Sequence, residues 1–147
     1  MPKQPSRTKP VTIAQAKQYL DKAEEFLASA KDDLGQRRMI AATSSAVHAA
    51  INASDVVSGI RSGQRSAGES HGHALELLKK SGADGVALAK DLSRLVALKP
   101  KAEYDPADIA PGTARQAVEW ADRCVEIALR VLASRTQANG SATAANR

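Results

Sequence analysis

Apolar residues recur three and four apart along most of this chain, the spacing of one face of an α-helix, and capping signals divide the pattern into about five segments. The first predicted helix runs from about Thr12 to Leu34. Thr12 and Gln15 have the spacing of a capping box, in which each side chain meets the other's backbone N–H, and Gly35 stands just past the end. Ile13, Ala16, Leu20, Ala23, Leu27, Ala30 and Leu34 then form a continuous seam that plain core packing accounts for. At 1.5 Å per residue such a helix is roughly 35 Å long, enough to run the length of a bundle.

The second predicted helix, about Gln36 to Ser62, is apolar or small nearly all the way round, with Met39, Ile40, Ala46, Val47, Ala50, Ile51, Ala53, Val56, Val57 and Ile60. A helix of that kind is buried on several sides, by neighbours or by a second subunit. A polar loop from Ser62 to Ser70 follows, then a short helix from about His71 to Lys80 with Ala74, Leu75 and Leu78 inward and Gly82 at its end. Asp84 is placed to cap a fourth helix carrying Leu88, Leu92, Leu95 and Val96, which Pro100 is expected to stop. The stretch Lys99 to Pro111, with three prolines, reads as a crossing loop. Thr113 and Gln116 suggest a second capping box, opening a last helix to about Arg135 with Trp120, Cys124, Ile127 and Val131 at helical spacing. No repeat and no strand signal stands out. The expectation is an all-α, up-and-down bundle of four to five helices over residues 12–135. Proline-rich and polar tails, 1–11 and 136–147, are expected to be disordered.

Composition supports helices over sheets, because alanine and aliphatic residues dominate the apolar 43% while aromatics reach only 3%. The 147 residues suffice for one core without a metal or disulfides. Cys124 is the lone cysteine, which rules out an intrachain disulfide and makes a reducing cytoplasm the natural home. No apolar run is long enough to span a membrane, and none follows the basic amino terminus as an export signal would. The net charge of +5 invites a nucleic-acid reading, but Lys3, Arg7, Lys9, Arg135 and Arg147 lie in tails that hold no acid. Residues 12–134 therefore carry equal numbers of acidic and basic side chains. The expected nucleic-acid contact is weak, nonspecific and made by the tails.

Residues able to carry chemistry are few. Gly63 to Ser70 has the outer spacing of a phosphate-binding P-loop, but Glu69 occupies the lysine position and a helix precedes it where a strand is required. Arg65 and His71 are separated so that a cation can stand beside a general acid or base without a metal, although a solvated loop with His71 near a helix start is the commoner explanation of such a spacing. His71 and His73, two apart on a helix, point in different directions and do not make a metal pair. His48, Asn52 and Asp55 form one polar stripe on an otherwise apolar helix, either a structural hydrogen-bonding network or the wall of a site. Cys124 lies on an apolar stripe and reads as a small core residue. No cofactor motif stands out.

The segment from Leu92 to Pro106, with Leu92, Leu95, Leu98, Lys99 and the Ala102-Glu103-Tyr104 step, resembles a recurring feature of HEPN domains. Ala46 to Asp55 is similar to the second helix of that fold. The resemblance implies a four- or five-helix bundle, commonly a homodimer, in toxin–antitoxin, defence or nucleotide-linked systems. Many members are metal-independent ribonucleases using an arginine and a histidine a few residues apart. Here Lys99 and Tyr104 stand at those positions, so the resemblance implies a non-catalytic module. Its polar patch, drawn from Asn52, Asp55, Arg65, His71, Lys99, Lys101 and Tyr104, would bind a partner protein, RNA or nucleotide. Two alternatives stay open: a displaced ribonuclease site built on Arg65 and His71 near Lys101 and Tyr104, and a purely structural homo-oligomer.

Overall fold

The structure, a computed structural model, describes residues 8–67 and 71–145, with side chains to Thr136. Its elements in order are β1 (Thr8–Pro10), α1 (Ile13–Gly35), α2 (Met39–Ser62), β2 (Gln64–Ser66), α3 (His71–Lys79), α4 (Gly82–Glu103) and α5 (Pro111–Ala145). The all-α bundle expected from the periodicity is what forms.

The capping box at the start of α1 is made on both sides: Gln15 N–H donates to Thr12 Oγ1 at 3.1 Å, and Thr12 N–H donates to Gln15 Oε1 at 3.0 Å. A tight turn with Arg37 in the left-handed region, φ 61°, leads into α2. That helix is the centre of the molecule, packed by α1, α4 and α5. Ala42, Ala46, Ala49, Ala50 and Ala53 are fully buried along it, and such small side chains let three neighbours approach closely. Most of its apolar circumference, one reason to expect a second subunit, is thus covered within the chain, while Ile40 stays exposed. Cross-helix ion pairs show the directions. Arg61 of α2 meets Asp84 and His48 meets Glu103, so α2 and α4 are antiparallel. Asp84 also meets Arg130 and Asp91 meets Arg123, so α4 and α5 are antiparallel.

Several boundaries differ from the sequence reading. Thr8–Pro10, placed by sequence in a disordered tail, pairs antiparallel with Gln64–Ser66, Lys9 opposite Arg65. Val11 N–H extends this clip to the Gly63 carbonyl at 2.9 Å, and Val11 seats against Gly59, where a Cβ would lie 2.6 Å from its Cγ1. Strands of three residues, one of them ending in Pro10, carry no period-two pattern to detect. Residues 1–7 of that expected tail, and 68–70 of the P-loop-like segment, including Glu69, lie outside the described residues.

Pro100 sits inside α4 instead of ending it, and the helix closes with Tyr104 N–H on the Pro100 carbonyl. Beyond it, Ala102 packs with Ile109 and Ala114 in a small second core. Asp84 is not the cap of α4. Ser81 holds the preceding position, and Asp84 lies in the first turn, where acidic side chains favour the helix dipole. The last helix starts at Pro111, before the expected Thr113 box, because proline suits a first helical position that needs no N–H donor. It also runs on to Ala145, past the expected end at Arg135, and so replaces most of the expected disordered tail. Extending a formed helix through Ala138, Ala142, Ala144 and Ala145 costs far less than nucleating one. Residues 146–147 lie outside the described residues.

The closest backbone approach is at Gly85, where an added Cβ would overlap the Leu78 carbonyl oxygen, whereas Gly35 has open space. Gly85→Ala is expected to destabilise by about 1–3 kcal/mol, since α3 must shift away. Gly35→Ala is expected to hold or gain up to about 1 kcal/mol. Urea midpoints of the two variants check this, and equal midpoints would contradict the packing described for α3 on α4.

Candidate functional site

Burial along most of α2 takes Thr43, Ser54, Asp55 and Ser58 largely out of water, and a polar group so placed needs another partner. Thr43 donates to the Met39 carbonyl at 2.9 Å, and Asn52 donates to the His48 carbonyl at 2.9 Å. Both return to the backbone of their own helix four residues back. Asp55 has no such recourse, because an ionised carboxylate has no proton to give a carbonyl. It is 9% exposed and forms no hydrogen bond or ion pair among the described residues.

Asp55 lies in a cavity of about 180 Å³ whose wall is drawn from four elements. Ile51 and Ser54 accompany it from α2, Arg65 and Ser66 come from β2, His71 and Ala74 from α3, and Leu92 from α4. The β1–β2 clip is what brings Arg65 and Ser66 over the end of α2. Arg65 is held by its own geometry: its guanidinium lies 5.5 Å from the centre of the Tyr19 ring and donates to the Ser66 carbonyl at 3.2 Å. The Ser66 Oγ is buried with no partner among the described residues.

His71 stands on the same wall, its Nε2 3.3 Å from Lys99 Nζ. An ammonium only donates, so Nε2 accepts and the neutral ring carries its proton on Nδ1. Burial, then the Lys99 charge, lowers the His71 pKa, with Glu103 opposing and His48 adding to the fall. The ring is therefore neutral at pH 7. His48 completes the neighbourhood, 3.5 Å from Glu103 Oε1 and 5.3 Å from the Phe26 ring centre.

Of the residues singled out from sequence, Asp55, Arg65 and His71 come together, and Lys99 joins them through His71. Asn52 spends its amide on α2. Lys101 is exposed, and Tyr104, at the end of α4, is 78% exposed; neither lines the cavity. Among the described residues, the Arg65–His71 segment thus meets the Lys99–Tyr104 segment through Lys99 on His71, with Glu103 acting on the same ring through space. Sequence reasoning passed over Ser66, an ordinary loop serine until the strand pairing buries it. It also passed over Lys22 and Tyr19, which lie on α1 and reach the site only through tertiary packing.

Burial pushes the Asp55 pKa up to about 7, while Arg65 and Lys22 pull the other way. The folded protein therefore holds a proton that the unfolded chain releases above its ordinary value of 3.8. Stability from this group is present at low pH and lost as pH rises from about 4 to 7, on the order of 4 kcal/mol in all. Asp55→Asn, which cannot ionise, is expected to be more stable than the parent by about 2–4 kcal/mol at pH 8 and by little near pH 4. Urea denaturation at both pH values checks it; the same difference at each would rule out a buried, titrating carboxylate. No family model matches the chain, and no curated protein matches its sequence.

Proposed function

We propose that this chain is a HEPN-like, non-catalytic binding module that takes a mononucleotide in the Asp55 cavity. The observation that carries the reading is the buried carboxylate itself. A charge that lowers stability at neutral pH and meets no partner among the described residues is explained by a ligand that supplies the partner. Arg65 on the cavity wall and Lys99 behind His71 suit an anionic group on the same ligand. A mononucleotide combines hydrogen-bond donors with such an anion. The small volume of the cavity, about 180 Å³, and the charge balance of residues 12–134 favour it over a polymer tracked along a basic surface.

The absence of catalysis is supported by the state of His71. Its Nε2 lone pair is engaged by Lys99, so the nitrogen that would act as general base is not free to accept a substrate proton. One observation favours the displaced-ribonuclease reading instead: the same pair sets a neutral imidazole beside a cation, with Arg65 on the same wall. A cytoplasmic location and a homodimer belong to the proposal as well. They rest on the lone Cys124 and on an open apolar groove between Ile13 and Leu20 of α1 and Leu129 and Leu132 of α5. No described helix is long and apolar enough to cross a membrane.

Isothermal titration with each of the common ribonucleoside monophosphates is expected to give saturable binding by at least one, weakened roughly tenfold by Lys99→Ala. No heat with any of them would end the nucleotide reading. Metal-free incubation with transfer RNA separates the alternative: the parent protein is expected to leave it intact. Cleavage that disappears in His71→Ala would establish the ribonuclease reading in its place.

A further inference from the structure

The floor and the mouth of the Asp55 cavity present opposite chemistry. Asp55 and the unpartnered Ser66 hydroxyl are its buried polar groups, while Arg65 lines it half-buried, with Lys99 behind His71. An anionic head group would meet the Asp55 charge. A cationic one would enter beside Arg65 and near Lys22, both of which act on Asp55 through space. The head that satisfies the floor is neutral and rich in N–H donors, with its negative charge at the other end of the ligand.

Size narrows the choice. A cavity of about 180 Å³ equals the liquid volume of roughly six water molecules, the scale of one flat heterocycle. The ribose and phosphate of a nucleotide then lie at the mouth, beside the cations. Ile51 and Leu92 supply apolar surface for the faces of the ring.

Guanine places a ring N–H and an exocyclic amine side by side on the edge away from the sugar, with a carbonyl oxygen next to them. A carboxylate accepts two parallel N–H donors there much as it does from a guanidinium. Adenine offers an unprotonated ring nitrogen at the same place, which a carboxylate repels. We infer that the cavity selects guanine, Asp55 accepting the two N–H donors and Ser66 donating to the carbonyl oxygen. The inference rests on the mononucleotide reading and adds the identity of the base to it.

The test is calorimetric titration of the full chain with guanosine, inosine and adenosine monophosphates at pH 8. Guanosine monophosphate is expected to bind roughly tenfold to a hundredfold more tightly than adenosine monophosphate, the worth of a bidentate pair. Inosine monophosphate, which keeps the ring N–H but lacks the amine, should fall between them. Asp55→Asn should remove most of the preference for guanine, weakening the guanosine nucleotide and tightening the adenosine nucleotide, whose ring nitrogen then meets an amide N–H in place of a carboxylate. This variant is isosteric and loses only a destabilising charge, so folding does not confound it, and Ser66→Ala gives a second, milder loss. Equal affinities for guanosine and adenosine nucleotides would overturn the base assignment while leaving the mononucleotide reading intact. No binding by any of the three, nor by cytidine or uridine monophosphate, would overturn both.

Discussion

A helix enclosed by three others can keep polar residues only if each is satisfied from within, and α2 is such a helix. Its alanines bring α1, α4 and α5 close enough to exclude water from most positions between Ala42 and Gly59. Thr43 and Asn52 meet the condition by bonding back to their own backbone. Asp55 does not, and its raised pKa is the direct consequence of the same packing that makes the bundle stable.

A second buried aspartate makes the contrast plain. Asp91 of α4 is 6% exposed, yet Arg123 of α5 donates to both of its oxygens, at 2.9 and 3.0 Å. That pair fixes the register of two helices and is fully explained by structure. Asp55 has a cation nearby too, but Arg65 is turned onto the Tyr19 ring and the Ser66 carbonyl. The fold thus satisfies one buried carboxylate and leaves the other facing a cavity. Only the second resembles a site in its energetics.

The bundle was legible in the sequence because helical periodicity and a capping box are local signals: the Thr12–Gln15 box and the apolar circumference of α2 both correspond to what forms. What escaped was set by tertiary contact. The pairing of Thr8–Pro10 with Gln64–Ser66 joins segments more than fifty residues apart and leaves no pattern in either. Pro100 reads as a helix end, yet α4 runs on to Glu103 with Ala102 packed against Ile109 and Ala114. The site was half legible. Asp55 stands out as an acid on an apolar helix, and Arg65 and His71 as chemistry in a loop, but nothing in their spacing says that they share a cavity. Lys101 and Tyr104 looked equivalent to Lys99 by position, yet only Lys99 points toward His71.

The account stands or falls on Asp55 being a buried acid whose missing partner is a ligand. Its titration can be followed directly through the side-chain carboxyl carbon by nuclear magnetic resonance, with and without saturating guanosine monophosphate. The account predicts a midpoint of about 7 in the free protein. It also predicts a clear fall on ligand binding, since N–H donors stabilise the charged form. A midpoint in the ordinary aspartate range, unmoved by the nucleotide, would contradict it.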